Sequence, residues 1–387
     1  MMPRAFIYLS LLLSSMTPAG AGPTEDALRV GDEAFDNKNY SSALTTWVNA
    51  YNERATADTA NDETCAKLLT RAAGLLAQTG RYKEAVTCLE NLLKLREKLN
   101  GAADIETQKV KSLLGAQISN AGGDVDRAER LVRESAEALA KAGDEHLDAR
   151  LLALTNLAGI LFVKKDRLGA HELYAEVVSL SEKNPAQAPN LAIDAYRSMS
   201  SIADFFGRSK DSLQYMRKAA DLSRKHFGSD SPAAIMLRIE VAATLSGAGL
   251  NADAKAEYEK ILSDLEKKAP SPGEKLLHQR WATAAYRLAY VEAGLNNSDR
   301  AFELIKTSLA HAVHGWGDLD ANTLPVYLDL AKMHITRKNY REGVRCYQKV
   351  LDIRRRELGP DDKSTKETQQ ILNELLEDVR RAEAAKK

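Results

Sequence analysis

From residue 24 onward, apolar side chains recur at i, i+3, i+4 and i+7 almost without interruption, and short clusters of Gly, Asn, Asp and Pro break the run. That period is the stripe an amphipathic helix turns toward a core, so the chain is expected to be helical nearly throughout. The stretch LLTRAAGLLAQTG followed by RYKEAVTCLENLLKLREKL shows the unit. Gly80 ends one helix and Tyr82 opens the next, and a connection that short forces an antiparallel hairpin. With only 10 Pro and 6% aromatic residues, a β-sandwich or barrel of aromatic strands and Pro/Gly turns is disfavoured.

The hairpin recurs. Aligning the small residue early in each second helix gives Ala43, Ala85, Ala128, Ala170, Ser212, Ala254, Ala301 and Gly343, with steps of 42, 43, 42, 42, 42, 47 and 42 residues. Twelve places earlier, on the first helix, stand Gly31, Ala73, Ala116, Ala158, Ser200, Ala242, Ala289 and Ala331, all small. One turn after each anchor come Trp47, Leu89, Val132, Tyr174, Met216, Tyr258, Ile305 and Tyr347, all large. Two helices cross closely only where side chains are minimal, and a large residue one turn on fills the groove beside the crossing. Copies 3 and 7 carry Ser119 and Glu292 where others have Leu76, Leu161 and Leu245, so looser packing is expected there. The 47-residue step comes from extra turn-forming residues around APSPGEK at 269–275, where a local bend is expected. The tail from Ser364 to Lys387 places Ile371, Leu372, Leu375, Leu376 and Val379 on one stripe, as a helix capping the last apolar face requires.

This pattern resembles the tetratricopeptide repeat, and its 42-residue period is similar to the longer repeats of the kinesin light chain type. LTNLAGILFVKKDRLGAHELYAEVV at 154–178 has that family's helix-pair shape. KHFGSDSPAAI, HGWGDLDANTL and RELGPDDKSTKE match its Leu/Phe-Gly-x-Asp-x-x-Thr connection between repeats. The resemblance covers about residues 24–387. It implies an all-α fold: an α-solenoid, a right-handed superhelix of about eight antiparallel hairpins plus a C-terminal capping helix, with an inner groove lined by first helices that receives a peptide. The organisation read from the sequence is a signal peptide at 1–21, a solenoid of eight repeats at 22–363 and a capping helix with a charged tail at 364–387.

The leader reading rests on MMPRAFIYLSLLLSSMTPAGAG: a single charge at Arg4, an apolar run from Ala5 to Leu13 and the small-x-small triplet Ala19-Gly20-Ala21. Cleavage is expected after Ala21, and a retained N-terminal anchor is the alternative. No second hydrophobic span is expected downstream. An exported protein, periplasmic or extracellular and most naturally of a bacterial envelope, follows from that segment. Three Cys cannot form a disulfide framework, and on antiparallel helices Cys65 and Cys88 fall at different heights, so free, mostly buried thiols are expected.

Charge and motifs then narrow the function. Lys plus Arg number 54 and so do Asp plus Glu, which leaves no overall positive field for nucleic acid or an anionic membrane. Phosphate loops, dinucleotide-binding glycine motifs, His-Glu-x-x-His and Cys-x-x-Cys are all missing from the sequence, and no Ser sits in a nucleophile elbow. A non-enzymatic protein with no cofactor is expected. His311 and His314 have the spacing of half a metal site that Asp318 and Asp320 would have to complete. Two His near a helix C-terminus are better read as partners of its dipole, so no metal is assigned. Asn39-Tyr40-Ser41 and Asn296-Asn297-Ser298 are formal glycosylation sequons at hairpin turns, where Asn is expected for its backbone geometry.

Counting from the small residues of the first helices puts Arg71, Asn156, Arg197, Tyr286, Arg287, Tyr290 and Lys332 on the groove side. Arg would bind carboxylates and Tyr would offer stacking surface, although the same residues also suit an ordinary solvated helix face. In groove proteins of the kinesin light chain type, Asn on the first helix holds peptide backbone. Asn156 matches that feature, while Arg71, Ser198, Glu240, Arg287 or Asp329 stand at the equivalent turn of other copies. Residues 337–363 carry nine basic and five acidic side chains, and Arg354-Arg355-Arg356 fits either helix-dipole stabilisation or an acidic partner. The expectation is an exported scaffold for a protein or peptide partner, with an envelope chaperone for extended clients as the alternative.

Overall fold

A computed structural model describes residues 23–56, 62–184 and 188–384. Among the described residues there is no strand. The expected leader, 1–21, lies outside them. The chain divides into two compact units, Met1–Ile202 and Ala203–Lys387. The first holds α1 (Pro23–Asp36), α2 (Tyr40–Thr56), α3 (Glu63–Gln78), α4 (Tyr82–Asn100), α5 (Ile105–Asn120), α6 (Val125–Lys141), α7 (Leu147–Val163), α8 (Arg167–Lys183) and α9 (Pro189–Phe205) as far as Ile202. In it α1–α2, α3–α4, α5–α6 and α7–α8 pair as hairpins, and each second helix packs on the first helix that follows it as far as α7. The second unit holds α10 (Ser209–Phe227), α11 (Pro232–Gly247), α12 (Asn251–Lys268), α13 (Lys275–Gly294), α14 (Ser298–Gly315), α15 (Leu324–Thr336), α16 (Tyr340–Leu358) and α17 (Lys363–Ala384). There α11–α12, α13–α14 and α15–α16 are the hairpins, α10 packs on α11, and α17 lies on α16.

Every residue at the three aligned positions of the repeat is buried, from Gly31, Ala43 and Trp47 to Ala331, Gly343 and Tyr347. The reason is visible at two glycines. A Cβ on Gly31 would stand 2.1 Å from Trp47 Nε1, so the indole occupies the place a side chain would take. A Cβ on Gly115 would lie 2.4 Å from Val132 Cγ2 and 2.7 Å from Ala128 O, which puts α5 almost against the backbone of α6.

Two connections between hairpins share a construction. Gly101 and Gly317 take positive φ (89° and 116°), which stops the preceding helix without a Cβ penalty. Three residues on, a side chain caps the turn into the next helix: Asp104 accepts from Glu106 N at 2.9 Å, and Asp320 from Asn322 N at 2.8 Å. Three residues further, Thr107 and Thr323 donate their hydroxyls back to Gly101 O and Gly317 O at 2.9 and 2.8 Å. The capping acid thus stands third after Gly, one place later than the Gly-x-Asp reading of the sequence puts it.

Several expectations need correction. Looser packing in copy 7 does not hold: Glu292 is 1% exposed, and its carboxylate bonds Lys255 Nζ at 2.9 Å and Asn297 Nδ2 at 2.6 Å. Burial opposes ionisation of that carboxyl, but the ammonium and amide outweigh it and hold the group below the usual carboxylate range. On α17 only Leu372 and Leu375 of the expected stripe are buried, while Ile371 and Leu376 stay exposed. Arg354 donates to Ser364 O at 2.9 Å and to the Thr368 hydroxyl, and Arg355 donates to Gln369 Oε1 at 2.7 Å, so the basic run fastens α17 to its hairpin. A second apolar span does exist: residues 144–163 are long and apolar enough to cross a membrane. Leu147, Leu151, Leu154, Leu157, Ile160 and Leu161 of that stretch are buried in the first unit, as a core helix requires. As expected, Cys65, Cys88 and Cys346 are free, with Cys65 and Cys346 buried and Cys88 half-buried, and burial pushes each thiol up to about 11.

Candidate functional site

Three of the seven residues read as groove-facing come together, and all three lie in the second unit. On α13, Ala282, Ala285 and Ala289 are buried toward α14, where Ser308 donates its hydroxyl to Ala282 O at 2.8 Å. Helical geometry turns Tyr286 and Tyr290, four residues apart, to the other side. Their rings meet edge to face at 5.1 Å, with the hydroxyls 3.2 Å apart. Both hydroxyls donate to one oxygen, Oδ2 of Asp329 on α15, Tyr286 at 2.6 Å. The other oxygen, Oδ1, holds Lys332 Nζ at 3.3 Å.

The electrostatics follow from these contacts. Burial works against the Asp329 charge, but the two hydroxyls and the Lys332 ammonium prevail and hold its carboxyl below the usual range. Burial first, and the adjacent carboxylate second, push both tyrosine hydroxyls up, so they remain protonated donors. Arg287, exposed on the next position of α13, reaches the Tyr258 hydroxyl, which burial raises to about 12 against the pull of the guanidinium. Tyr290 is 58% exposed while its hydroxyl is fixed. Lys332, held on the other oxygen of the same carboxylate, brings one positive charge to this face, while Arg287, one helical turn before Tyr290, is engaged with Tyr258. Such a surface offers a preset aromatic face and a cationic donor to a segment with carboxylates and apolar or proline side chains.

The other four candidates lie elsewhere or are used differently. Arg287 belongs to the same helix but engages Tyr258 instead of the cluster. Arg71 is clamped by Asp32, Nε to Oδ1 at 3.1 Å and Nη2 to Oδ2 at 3.3 Å, across α3 and α1. Arg197 bonds Asp194 one turn back at 3.2 Å. Asn156 is corrected outright: it is 4% exposed, and its amide donates to Ser112 Oγ at 3.0 Å, so it joins α7 to α5 and is not presented to a ligand. Sequence counting missed the organising role of Asp329. The residues considered for a metal are also separated by the structure. Asp318 accepts from the Tyr327 hydroxyl and Lys349, and Asp320 caps a turn. The third imidazole beside His311 and His314 is His278, from α13. Among the described residues, no group of three His, Cys, Asp or Glu is placed to hold a metal ion.

Comparison with known proteins bears on the repeat. The tetratricopeptide repeat model matches residues 65–106 and 323–362, which begin in α3 and at the start of α15. No curated protein matches the sequence. Among solved structures, a signal transduction ATPase with numerous domains and a tetratricopeptide repeat sensor, from Pyrococcus horikoshii, superposes with a TM-score of 0.56 at 14% identity. It covers 91% of this chain, which spans 55% of that one. The apo form of RapI gives 0.50 at 13% identity, over 75% of this chain and 98% of its own. BtubC from P. vanneervenii gives 0.47 at 17%, over 65% and 91%. At such identities the likeness concerns the fold alone. With its matched segments and buried hairpin register, the chain is a helical-repeat protein with tetratricopeptide repeats at 65–106 and 323–362.

Proposed function

We propose that the protein is an exported scaffold whose second unit binds an extended segment of a partner protein on the α13–α15 face. The observation that carries this reading is Tyr290, exposed yet fixed by Asp329, whose other carboxylate oxygen holds the Lys332 ammonium. Binding of a peptide costs the ordering of side chains on both partners, and a tyrosine already locked in place reduces that cost. The preferred segment carries carboxylates for Lys332 and an apolar or proline side chain for Tyr290. The 42-residue spacing supports kinship with the longer repeats of the kinesin light chain type. Export rests on the sequence of residues 1–22, and N-terminal sequencing of the protein from fractionated cells tests it: a chain beginning at Gly22 outside the cytoplasm is expected.

Pull-down with the protein lacking residues 1–21 tests the binding reading. One folded partner in fixed stoichiometry is expected, and Tyr290→Ala combined with Arg287→Glu should weaken its capture at least tenfold. An undiminished capture by that double variant rejects the site, and a spread of unfolded clients favours the chaperone alternative.

A further inference from the structure

The hairpin α13–α14 gathers three of the seven histidines. His278 Nδ1 lies 2.8 Å from His311 Nδ1, His278 Nε2 lies 3.1 Å from Ser271 O, and His314 Nδ1 lies 2.7 Å from Ala310 O. The His311 ring stacks on Trp281 at 4.1 Å and 11°, and His278 stacks on His314 at 5.3 Å and 26°. These contacts assign the protons. A backbone carbonyl only accepts, so His278 carries its proton on Nε2 and His314 on Nδ1. His278 Nδ1 is then an acceptor, and His311 donates to it from its own Nδ1. The Nε2 atoms of His311 and His314 are left as lone pairs.

Ser271 belongs to the connection from Ala269 to Glu274, which holds the extra residues of the 47-residue step. That connection closes on itself where Glu274 Oε2 accepts from Ser271 N at 2.9 Å and from Ser271 Oγ at 3.1 Å. The His278 bond to Ser271 O ties it to the hairpin.

We propose that His278, His311 and His314 form a proton-operated latch, which holds the 269–274 connection on the α13–α14 hairpin at neutral pH and releases it on acidification. A first proton on His311 Nε2 leaves the Nδ1–H···Nδ1 bond intact but sets a charge in a half-buried cluster beside two other imidazoles, a cost that release removes. A second has only His278 Nδ1 or His314 Nε2 to enter, and either choice sets two imidazolium rings within one cluster. At His278 it also removes the acceptor of the shared bond. Separation lets each cation hydrate, so the latch opens. Glu274, at the start of α13, turns its charge toward His278 and is itself kept ionised by Ser271, with Lys268 of α12 beyond it. His311 and His314 come from α14, and Trp281 of α13, stacked on His311, is neutral. Burial, then the neighbouring imidazoles His278 and His314, push His311 down to about 4.

The sign of the response follows. A histidine whose pKa is lower in the closed form than its ordinary value of about 6.5 binds protons better once released, so falling pH favours the open form. With closed and open values of about 4 and about 6.5, His311 alone raises the opening constant about 30-fold between pH 7.5 and 5.0. The latch does not depend on the peptide-binding reading.

Hydrogen exchange of amides 270–279 in the full chain, corrected for the intrinsic pH dependence of exchange, measures the opening. A rise of about 30-fold from pH 7.5 to 5.0 is expected. In His311→Phe, which retains a ring on Trp281 but cannot titrate, exchange should already be fast at pH 7.5, and the change should shrink to threefold or less. His311→Gln is the second variant, with the same expectation. The connection from Gly228 to Ser231 in the same unit should not respond. Constant protection in the wild type, a full response in both variants, or opening of the Gly228–Ser231 connection in step with the latch would overturn the proposal.

Discussion

Replacing Gly115 with Ala adds one methyl group where α5 rests on α6. The new Cβ would stand 2.4 Å from Val132 Cγ2 and 2.7 Å from Ala128 O. The valine can rotate, but the carbonyl belongs to the helix backbone, so the helices must part by several tenths of an ångström. Overpacking of this kind costs about 1–3 kcal/mol, and a rigid backbone contact belongs at the upper end. Ala returns about 1 kcal/mol over Gly within a helix. A net loss of about 1–2 kcal/mol is expected. Gly159, inside the neighbouring first helix α7, has nothing within 4 Å of the position a Cβ would take. There the same exchange should stabilise by about 0.5–1 kcal/mol. For a unit of this size, 1 kcal/mol corresponds to about 2–4 °C in Tm. Thermal and urea unfolding followed by circular dichroism should therefore move Gly115→Ala down and Gly159→Ala up. Equal upward shifts would refute the claim that hairpin crossings demand minimal side chains.

Three further outcomes follow from the structure. Asp329→Ala removes the common acceptor of Tyr286 and Tyr290 and leaves a half-buried hydroxyl without its carboxylate, so urea unfolding should show a loss of about 1–2 kcal/mol. Because the native Asp329 carboxyl titrates below its ordinary value, the unfolded chain binds the proton first as pH falls; the stability difference between wild type and Asp329→Asn should be largest near pH 6 and vanish below the native value, and a difference constant down to pH 2 contradicts this. Arg354→Ala deletes the donors to Ser364 O and the Thr368 hydroxyl, and hydrogen exchange along α17 should quicken about tenfold while α11 is unaffected.

The hairpin register was legible because one packing requirement acts on every copy. Close crossing demands a small residue at Ala116 or Ala331 and a large one at Val132 or Tyr347, and buried positions answer to that demand whatever lies around them. Exposure of the first-helix face obeys no such rule. Asn156 sits at the same register position as Arg287 and Asp329, yet Ser112 from the preceding first helix covers it. Glu292 broke the apolar pattern without loosening the packing, since Lys255 on the neighbouring hairpin neutralises it. His278 could not be connected with His311 by any local pattern. A usable signal did exist. Asp32 with Arg71, Ser112 with Asn156, and Tyr286 with Asp329 are complementary pairs separated by 39, 44 and 43 residues, about one repeat apart. Searching the sequence for polar partners one period apart would have found the cluster around Asp329.

The central claim, that the α13–α15 face of this scaffold receives a partner segment, is tested most directly by site-specific photo-crosslinking in the native host. A photoreactive phenylalanine analogue in place of Tyr290 is compared with the same residue in place of Lys260, which is exposed on the second helix α12. The account predicts one predominant crosslinked protein from position 290, none from position 260, and loss of the product when Arg287→Glu and Lys332→Glu are added. The same products from both positions, or a product from position 290 that survives both charge reversals, would contradict it.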